Sequence, residues 1–528
     1  MLLCVALLLN FCVVSAEDAY SSTGFELIKT QESNDLGGTL YYFRHIKTGA
    51  EVVWLDNNSE RRDFSIGFKT PPIDSKGANH VLEHSLLCGS EKYPTKNIMP
   101  YVRGNALAET INAVTSDDCT YYEIKTPNET EYYNLIDVYM NGIFHPLLLT
   151  DENIFKQQGI RLEYVDGKVQ YNGVVYNELR INSLDSTENS VNFLADTLYR
   201  SIYGNTAPAC NSGGSINDLK TLTYEDVLRV YNTYYIPSNS MTYLAGKQDI
   251  KKTLSVLDGF FKSFDKQNIT ISFSDTKQQP AEKVSEYNIT ADTKTVDIGF
   301  MSAGVPMAEN MTELYAKDII FNLIAEKMDE INPKNYVSGG NSGGISNTAL
   351  LVTEVPIEKK DEILAAYDTV LADFSQNGMG DIADTIDSYV TDRNNPYFYT
   401  IELGIFQGIL YHDNPFYYAD ISTAANTLKE TPELFDAVLK KYFTNNPCSK
   451  IVISGNHGAM TEEPLQFSDA EIEQIKRETK QFQAWADMPD SPEVIAKIPT
   501  LSLDDIDAAP AYAAPLHEVI EKIDFYYT

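Results

Sequence analysis

The sequence predicts an α+β protein built from two copies of one unit. Three observations lead there. Strand-like runs of period two stand beside helix-like runs in each half of the 528 residues. Ser65-Ile66-Gly67-Phe68 recurs as Asp297-Ile298-Gly299-Phe300. The run TYEDVLRVYNTYYIPSNSMTYLAG, Thr223 to Gly246, recurs as TPELFDAVLKKYFTNNPCSKIVISG, Thr431 to Gly455. Both versions read as an N-capped helix, a Tyr-rich end, an Asn/Pro turn and a strand ending in glycine. Two blocks that keep their order make duplication a better account than coincidence. The copies fall at roughly 25–265 and 285–470, with the second unit taken on to 483.

The elements follow in order. Leu2 to Val14 is an apolar run, and Val14-Ser15-Ala16 after it is a small-residue cleavage pattern. Residues 1–16 therefore read as a secretory signal peptide, although no basic residue opens it. This predicts the secretory pathway, with a secreted or a vacuolar, lysosome-like destination. Thr39 to His45 and Glu51 to Leu55 are β-rich and flank a Thr-Gly turn, which suggests a hairpin. Asp63 to Phe68 alternates as a further strand, and Pro71-Pro72 ends it.

Next comes His80-Val81-Leu82-Glu83-His84. On a helix His80 and His84 lie one turn apart on one face, so two imidazoles can reach one metal ion. Glu83 lies on nearly the same face, where its carboxylate can meet a water molecule held by that metal. The order H-x-x-E-H is that of an inverted zincin. Zinc with three protein ligands keeps a fourth position open, and a carboxylate beside it can act as general base. The competing reading is an amphipathic core helix made by Val81, Leu82, Leu86 and Leu87, with two incidental histidines among the chain's seven. Cys88 is one turn beyond His84, and a fourth ligand there would close the site.

Thr120 to Ile124 is β-rich, while Glu131 to Phe144 and Asp151 to Arg161 read as helices. Glu178 lies near the start of a polar, helix-like segment and is a candidate third ligand; on position alone it is one of 75 acidic residues. Lys266 to Lys283 reads as a polar linker between the copies. Where the second copy should carry a metal helix it has Glu313 to Lys327 and no histidine, so it is a degenerate partner. Ser338 to Gly344 reads as a flexible glycine loop, without the strand–loop–helix order of a phosphate site. The Pro- and Asp-rich tail, 484–528, reads as a connecting arm.

Composition narrows the partners. A net charge of -34 argues against nucleic acid. It is compatible with cationic peptides, but a charge spread along the whole chain is better explained by solubility. No stretch after the first 16 residues is apolar enough to span a bilayer. Cys88, Cys119, Cys210 and Cys448 have no paired spacing and make no disulfide framework. Asn57, Asn128, Asn268, Asn288 and Asn310 open glycosylation sequons, a number near chance for this composition.

His80 to Pro94 (HVLEHSLLCGSEKYP) resembles the pitrilysin/insulysin family of zinc peptidases, in its presequence-protease and falcilysin branch. Gly173-Val-Val-Tyr-Asn-Glu178, Asn112-Ala-Val-Thr115, Asn211 to Gly214, Tyr235 to Asn239 and Ile498 to Ile506 fit the same pattern. The resemblance implies duplicated α+β domains, each a mixed or antiparallel sheet backed by helices. It implies one Zn2+ per chain on His80, His84 and Glu178, with Glu83 as base. It implies endopeptidase action on short unstructured peptides, bound as an added strand near Asn112 and Ala113. The family has Gln-Glu-Gly where this chain has Gln157-Gln158-Gly159. Its members also have two such halves around a chamber, and this chain has the length of one. A partner half-chain or self-association would then close the chamber. The alternative is a non-catalytic or partner-dependent half that binds peptides.

Overall fold

In the computed structural model the described residues are 19–184, 186–204, 206–269, 271, 284–302, 305–380, 382–393, 401–446, 448–455, 465–506, 516–520 and 523–527. The expected signal peptide and most of the expected linker lie outside them.

The first half is built on a seven-stranded sheet. Its strands are β1 (Phe25–Ser33), β2 (Gly38–His45), β3 (Glu51–Asp56), β4 (Arg62–Lys69), β5 (Thr110–Thr115), β6 (Cys119–Thr126) and, after the hairpin β7 (Arg161–Val165) and β8 (Lys168–Asn172), β9 (Ser240–Ala245). Their order is β1-β2-β3-β9-β4-β6-β5, so β5 is an edge. Only β3 and β9 pair in parallel; the other neighbours are antiparallel.

The second half repeats the pattern. Its strands are β10 (Val284–Tyr287), β11 (Thr295–Ser302), β12 (Val305–Pro306), β13 (Asn335–Ser342), β14 (Ile345–Pro356) and β15 (Cys448–Ser454). The path β10-β15-β11-β14, with β13 beside β14, repeats β3-β9-β4-β6-β5. The parallel pair recurs as β10 with β15. This is a duplicated α+β fold of two helix-backed sheets.

Each sheet is covered on both faces, and one cover comes from the other half. On β4, Phe64, Ile66 and Phe68 enter the core beneath the first half's own helices. Across the sheet the helix Ile401–His412 packs Ile405, Phe406 and Ile409 on Tyr121 and Met241. On β11, Val296, Ile298 and Phe300 face the second half's helices. Its reverse side receives Leu194 and Leu198 from the first half's helix Ser186–Tyr203. Two glycines make these close approaches possible. A Cβ on Gly67 would lie 3.2 Å from the Phe406 ring, and one on Gly299 would lie 3.2 Å from Leu198.

Two expectations change. Ser338 to Ser342 is not a loop; it is the end of β13, paired in register with β14 down to Ser342 opposite Ile345. Gly343 and Gly344 make the turn with positive φ. Backbone pairing overrides the loop preference of glycine here. The arm is also no loose linker. The helix Asp469–Asp487 has a capping box at Ser468/Glu471 and runs across the expected 483/484 boundary. It docks on the first half: the Tyr164 amide donates to Thr479 Oγ1 (2.9 Å), and Trp485 Nε1 donates to Asp151 (2.9 Å). Asn128 and Asn310, which open sequons, are helix N-caps whose side chains accept from Glu131 and Glu313 amides. No described helix is long and apolar enough to cross a membrane.

Candidate metal centre

The helix Ala78–Leu86 follows β4 and a loop that is tied down at several points. Lys76 pairs with Asp226 (3.1 Å). Asn79 Nδ2 donates to the Thr70 carbonyl (2.8 Å) and to Ser212 Oγ (2.9 Å). Gly77 has φ +76°, and a Cβ there would lie 3.0 Å from the Gly213 carbonyl. Glycine is needed at this contact for both conformation and space. The contact brings the Asn211–Gly214 segment against the start of the helix.

The Gly213 carbonyl is 3.0 Å from His80 Nδ1, so it accepts that N–H. With Nδ1–H so engaged, the neutral imidazole presents its Nε2 lone pair to a metal, and the protonated one presents Nε2–H to Glu178. His80 Nε2 is 3.4 Å from Glu178 Oε2, and His84 Nε2 is 3.5 Å from the same oxygen. Glu178 arrives on the helix Val174–Leu184. That helix begins at Gly173, where a Cβ would stand 2.1 Å from the Gly159 carbonyl. Hydrogen bonding to His80 holds the Glu178 carboxyl below its usual range, against the opposing effect of burial. At His80 burial pulls the imidazole down, but Glu178, Glu83 and the Gly213 carbonyl outweigh it and the net shift is upward.

These distances can be set against a metal. Ligand atoms about 2.1 Å from a tetrahedral zinc stand roughly 3.4 Å apart. The two distances from Glu178 match that edge. Glu83 also lies near both histidines: the ligand atoms of His80, Glu83 and His84 are all within 4.8 Å of one another. Chemistry favours Glu178 over Glu83 as third ligand. Glu83 is only 7% exposed and its Oε2 already accepts from Thr115 Oγ1 at 2.8 Å. Burial pushes its carboxyl up, although His84, Thr115 and His80 each pull it down. A buried carboxyl raised in this way is suited to taking up a proton.

Cys88 does not join the set. Its Sγ lies 3.5 Å from the His84 carbonyl, and burial pushes the thiol up to about 12. A thiol so protonated is no nucleophile, and among the described residues its sulfur is outside the cluster of ligand atoms at His80 and His84. Gln158, at the position where the resemblance noted a departure from Gln-Glu-Gly, is buried and its side chain bonds that thiol.

Asn112 and Ala113 lie on the edge strand β5. Asn112 Nδ2 reaches Glu123 (3.5 Å), so its side chain sits on the sheet face opposite Ile111 and the metal helix. Alternation along the strand puts Ala113 and Thr115 on the helix side. Sequence reading missed Thr115 as a partner of Glu83, and it missed the Gly213 carbonyl behind His80. Counting by twos from Ile111 would have found the first. The second is a backbone contact across more than 130 residues and leaves no local signal.

Comparison with known proteins agrees with the fold. Residues 65–200 match the family described as insulinase (peptidase family M16), and residues 221–381 match the peptidase M16 inactive domain. Protein HypA of Clostridium perfringens is 27% identical over 527 residues, 92% of this chain and 53% of the relative. Presequence protease 1, chloroplastic/mitochondrial, of Arabidopsis thaliana is 25% identical over 549 residues, 94% of this chain and 50% of the relative. The chain spans about half the length of the curated relatives it matches. A protease from Helicobacter pylori superposes with a TM-score of 0.58 at 15% identity, over 77% of this chain and 97% of its own. These relatives also correct the expected secretory destination. The presequence proteases matched are named for mitochondria, or for chloroplasts and mitochondria. An apolar run with small residues after it is weak grounds when the basic opening of a signal is missing.

Proposed function

The chain belongs to the insulinase (M16) family of peptidases, with presequence proteases among its relatives, and from that premise we propose that it is a zinc-dependent endopeptidase for short unstructured peptides. The observation that carries this reading is the single Glu178 oxygen standing 3.4 and 3.5 Å from two histidine Nε2 atoms. His80, His84 and Glu178 would hold one Zn2+ per chain. Zinc in such a set brings the pKa of water to about 7 and polarises a carbonyl.

The chain's own groups do the rest. Glu83 takes the proton of the attacking water and returns it to the leaving nitrogen. The free edge of β5 at Asn112 and Ala113 pairs with the peptide backbone as an added strand, which leaves most side chains unread. The catalytic unit is taken as residues 25–265, the metal-free unit as 285–483 and the connecting arm as 484–528. A second half-chain, or a second copy of this chain, closes the other side of the site.

A second reading is a subunit that binds peptides and turns them over only with a partner. One experiment separates the two. The chain is assayed on an unstructured peptide with and without chelator, alone and with candidate partner chains. Chelator-sensitive cleavage, lost by about a thousandfold or more in Glu83→Gln while the metal stays bound, is expected. Metal retained with no cleavage under any pairing would overturn the endopeptidase reading.

A further inference from the structure

We propose that Thr115 is the positioning residue that aims Glu83, a role that rests on the peptidase reading above. Among the described residues Thr115 is the one side chain that donates to the Glu83 carboxylate, from Oγ1 to Oε2 at 2.8 Å. A buried carboxylate with a single donor has its orientation set by that donor. Thr115 takes one of the two lone pairs of Oε2, which leaves Oε1 the less engaged oxygen. Water therefore gives its proton to Oε1 while its oxygen bonds to the peptide carbonyl carbon. The same proton passes from Oε1 to the amine nitrogen as the C–N bond breaks.

Thr115 is itself firmly placed. It is the last residue of β5, paired in register with Thr120 of β6, and its β-branched side chain is stiff at χ1. The turn after it is closed by the Ser116 amide donating to the Cys119 carbonyl (2.8 Å). Asp118 in that turn is gripped by the second half. Its Oδ2 accepts from the Gly343 amide and from the Tyr411 hydroxyl, both at 2.6 Å. Its carbonyl accepts from the Thr70 amide at 2.8 Å, next to the loop that leads to the metal helix. The strand that would receive the peptide thus also holds the base. The metal-free half contributes by fixing the turn between β5 and β6.

The test compares Thr115→Val, which keeps shape and loses the donor, with Thr115→Ser, which keeps the donor. The valine variant should lose roughly 10- to 100-fold in kcat, the worth of one hydrogen bond to a charged group. KM and zinc affinity by chelator competition should not move, and the thermal midpoint should fall by no more than a few degrees, the cost of leaving one buried carboxylate oxygen without its donor. The serine variant should recover kcat to within about threefold of the parent. Crystal structures of both variants give a readout independent of turnover: the Glu83 carboxylate should leave its position in the valine variant and keep it in the serine variant. A valine variant with normal kcat, or one whose Glu83 has not moved, overturns the proposal. So does a serine variant as impaired as valine. If the parent chain cleaves nothing, the peptidase reading fails, and the orientation of Glu83 still decides the role of Thr115.

Discussion

Two helices occupy the same place in the two halves, and they differ in how their polar residues are satisfied. One, Ala78–Leu86, follows β4; the other, Met311–Asp329, follows β11. Counted from each first residue, His80, Glu83 and His84 correspond to Glu313, Ala316 and Lys317. In the second half the charges are answered by the protein. Glu313 pairs with Lys441, and the buried Lys317 ammonium meets the Ser346 hydroxyl and lies 3.4 Å from Asp318. In the first half two imidazole nitrogens and a carboxylate oxygen converge on one another. A metal site is a set of ligands left for an outside cation to satisfy. At the matching place the second half carries the protein's own ammonium groups instead.

Converting one helix into the other should therefore have the largest effect. His84→Lys places an ammonium where a ligand stood. Zinc affinity should fall by a thousandfold or more and turnover should vanish, with the fold retained by circular dichroism. Retention of one tightly bound zinc by this variant would break the comparison.

The joint between the halves comes next. Burial, against the Tyr411 and Gly343 hydrogen bonds, pushes the Asp118 carboxyl up to about 6, and Asp117 adds to the rise. Cys119 and Tyr411 are the other titratable groups beside it. A carboxyl raised in the folded state favours folding when protonated. Its contribution is complete below the unfolded value near 4 and is lost as pH rises through about 6. The total is at most about 3 kcal/mol. Thermal midpoints taken between pH 4 and 7 should show this slope, and Asp118→Asn should flatten it. An unchanged slope would remove Asp118 from the joint.

The smallest effect belongs to the metal-free helix. Lys317→Met leaves the buried Ser346 hydroxyl without its partner, at a cost of roughly 1–3 kcal/mol. The thermal midpoint should fall by a few degrees, while metal content and kcat stay as they were. A loss of metal would show that the second half takes part in the centre directly.

What could be read from the sequence follows the range of each signal. The i, i+4 histidines are a local pattern, and the structure sets them on one helix beside Glu178. The repeat of Gly67 at Gly299 was visible as a match, but its cause was not. Each glycine makes room for a helix lent by the other half, through contacts such as Gly67 with Phe406 that join residues more than 300 apart. Ser338 to Ser342 looked like a loop because residue type outweighed pairing in the reading, and pairing with β14 needs a partner strand to be known. Thr115 lay two residues beyond a strand position already singled out. Only the face of the strand, fixed by alternation, identifies it as the partner of Glu83.

Metal stoichiometry tests the central claim most directly. Zinc bound per chain should be one equivalent, and it should fall to none in His84→Lys while Lys317→Met keeps it at one. Two equivalents per chain, none in the parent, or one surviving in His84→Lys would contradict a single centre on His80, His84 and Glu178.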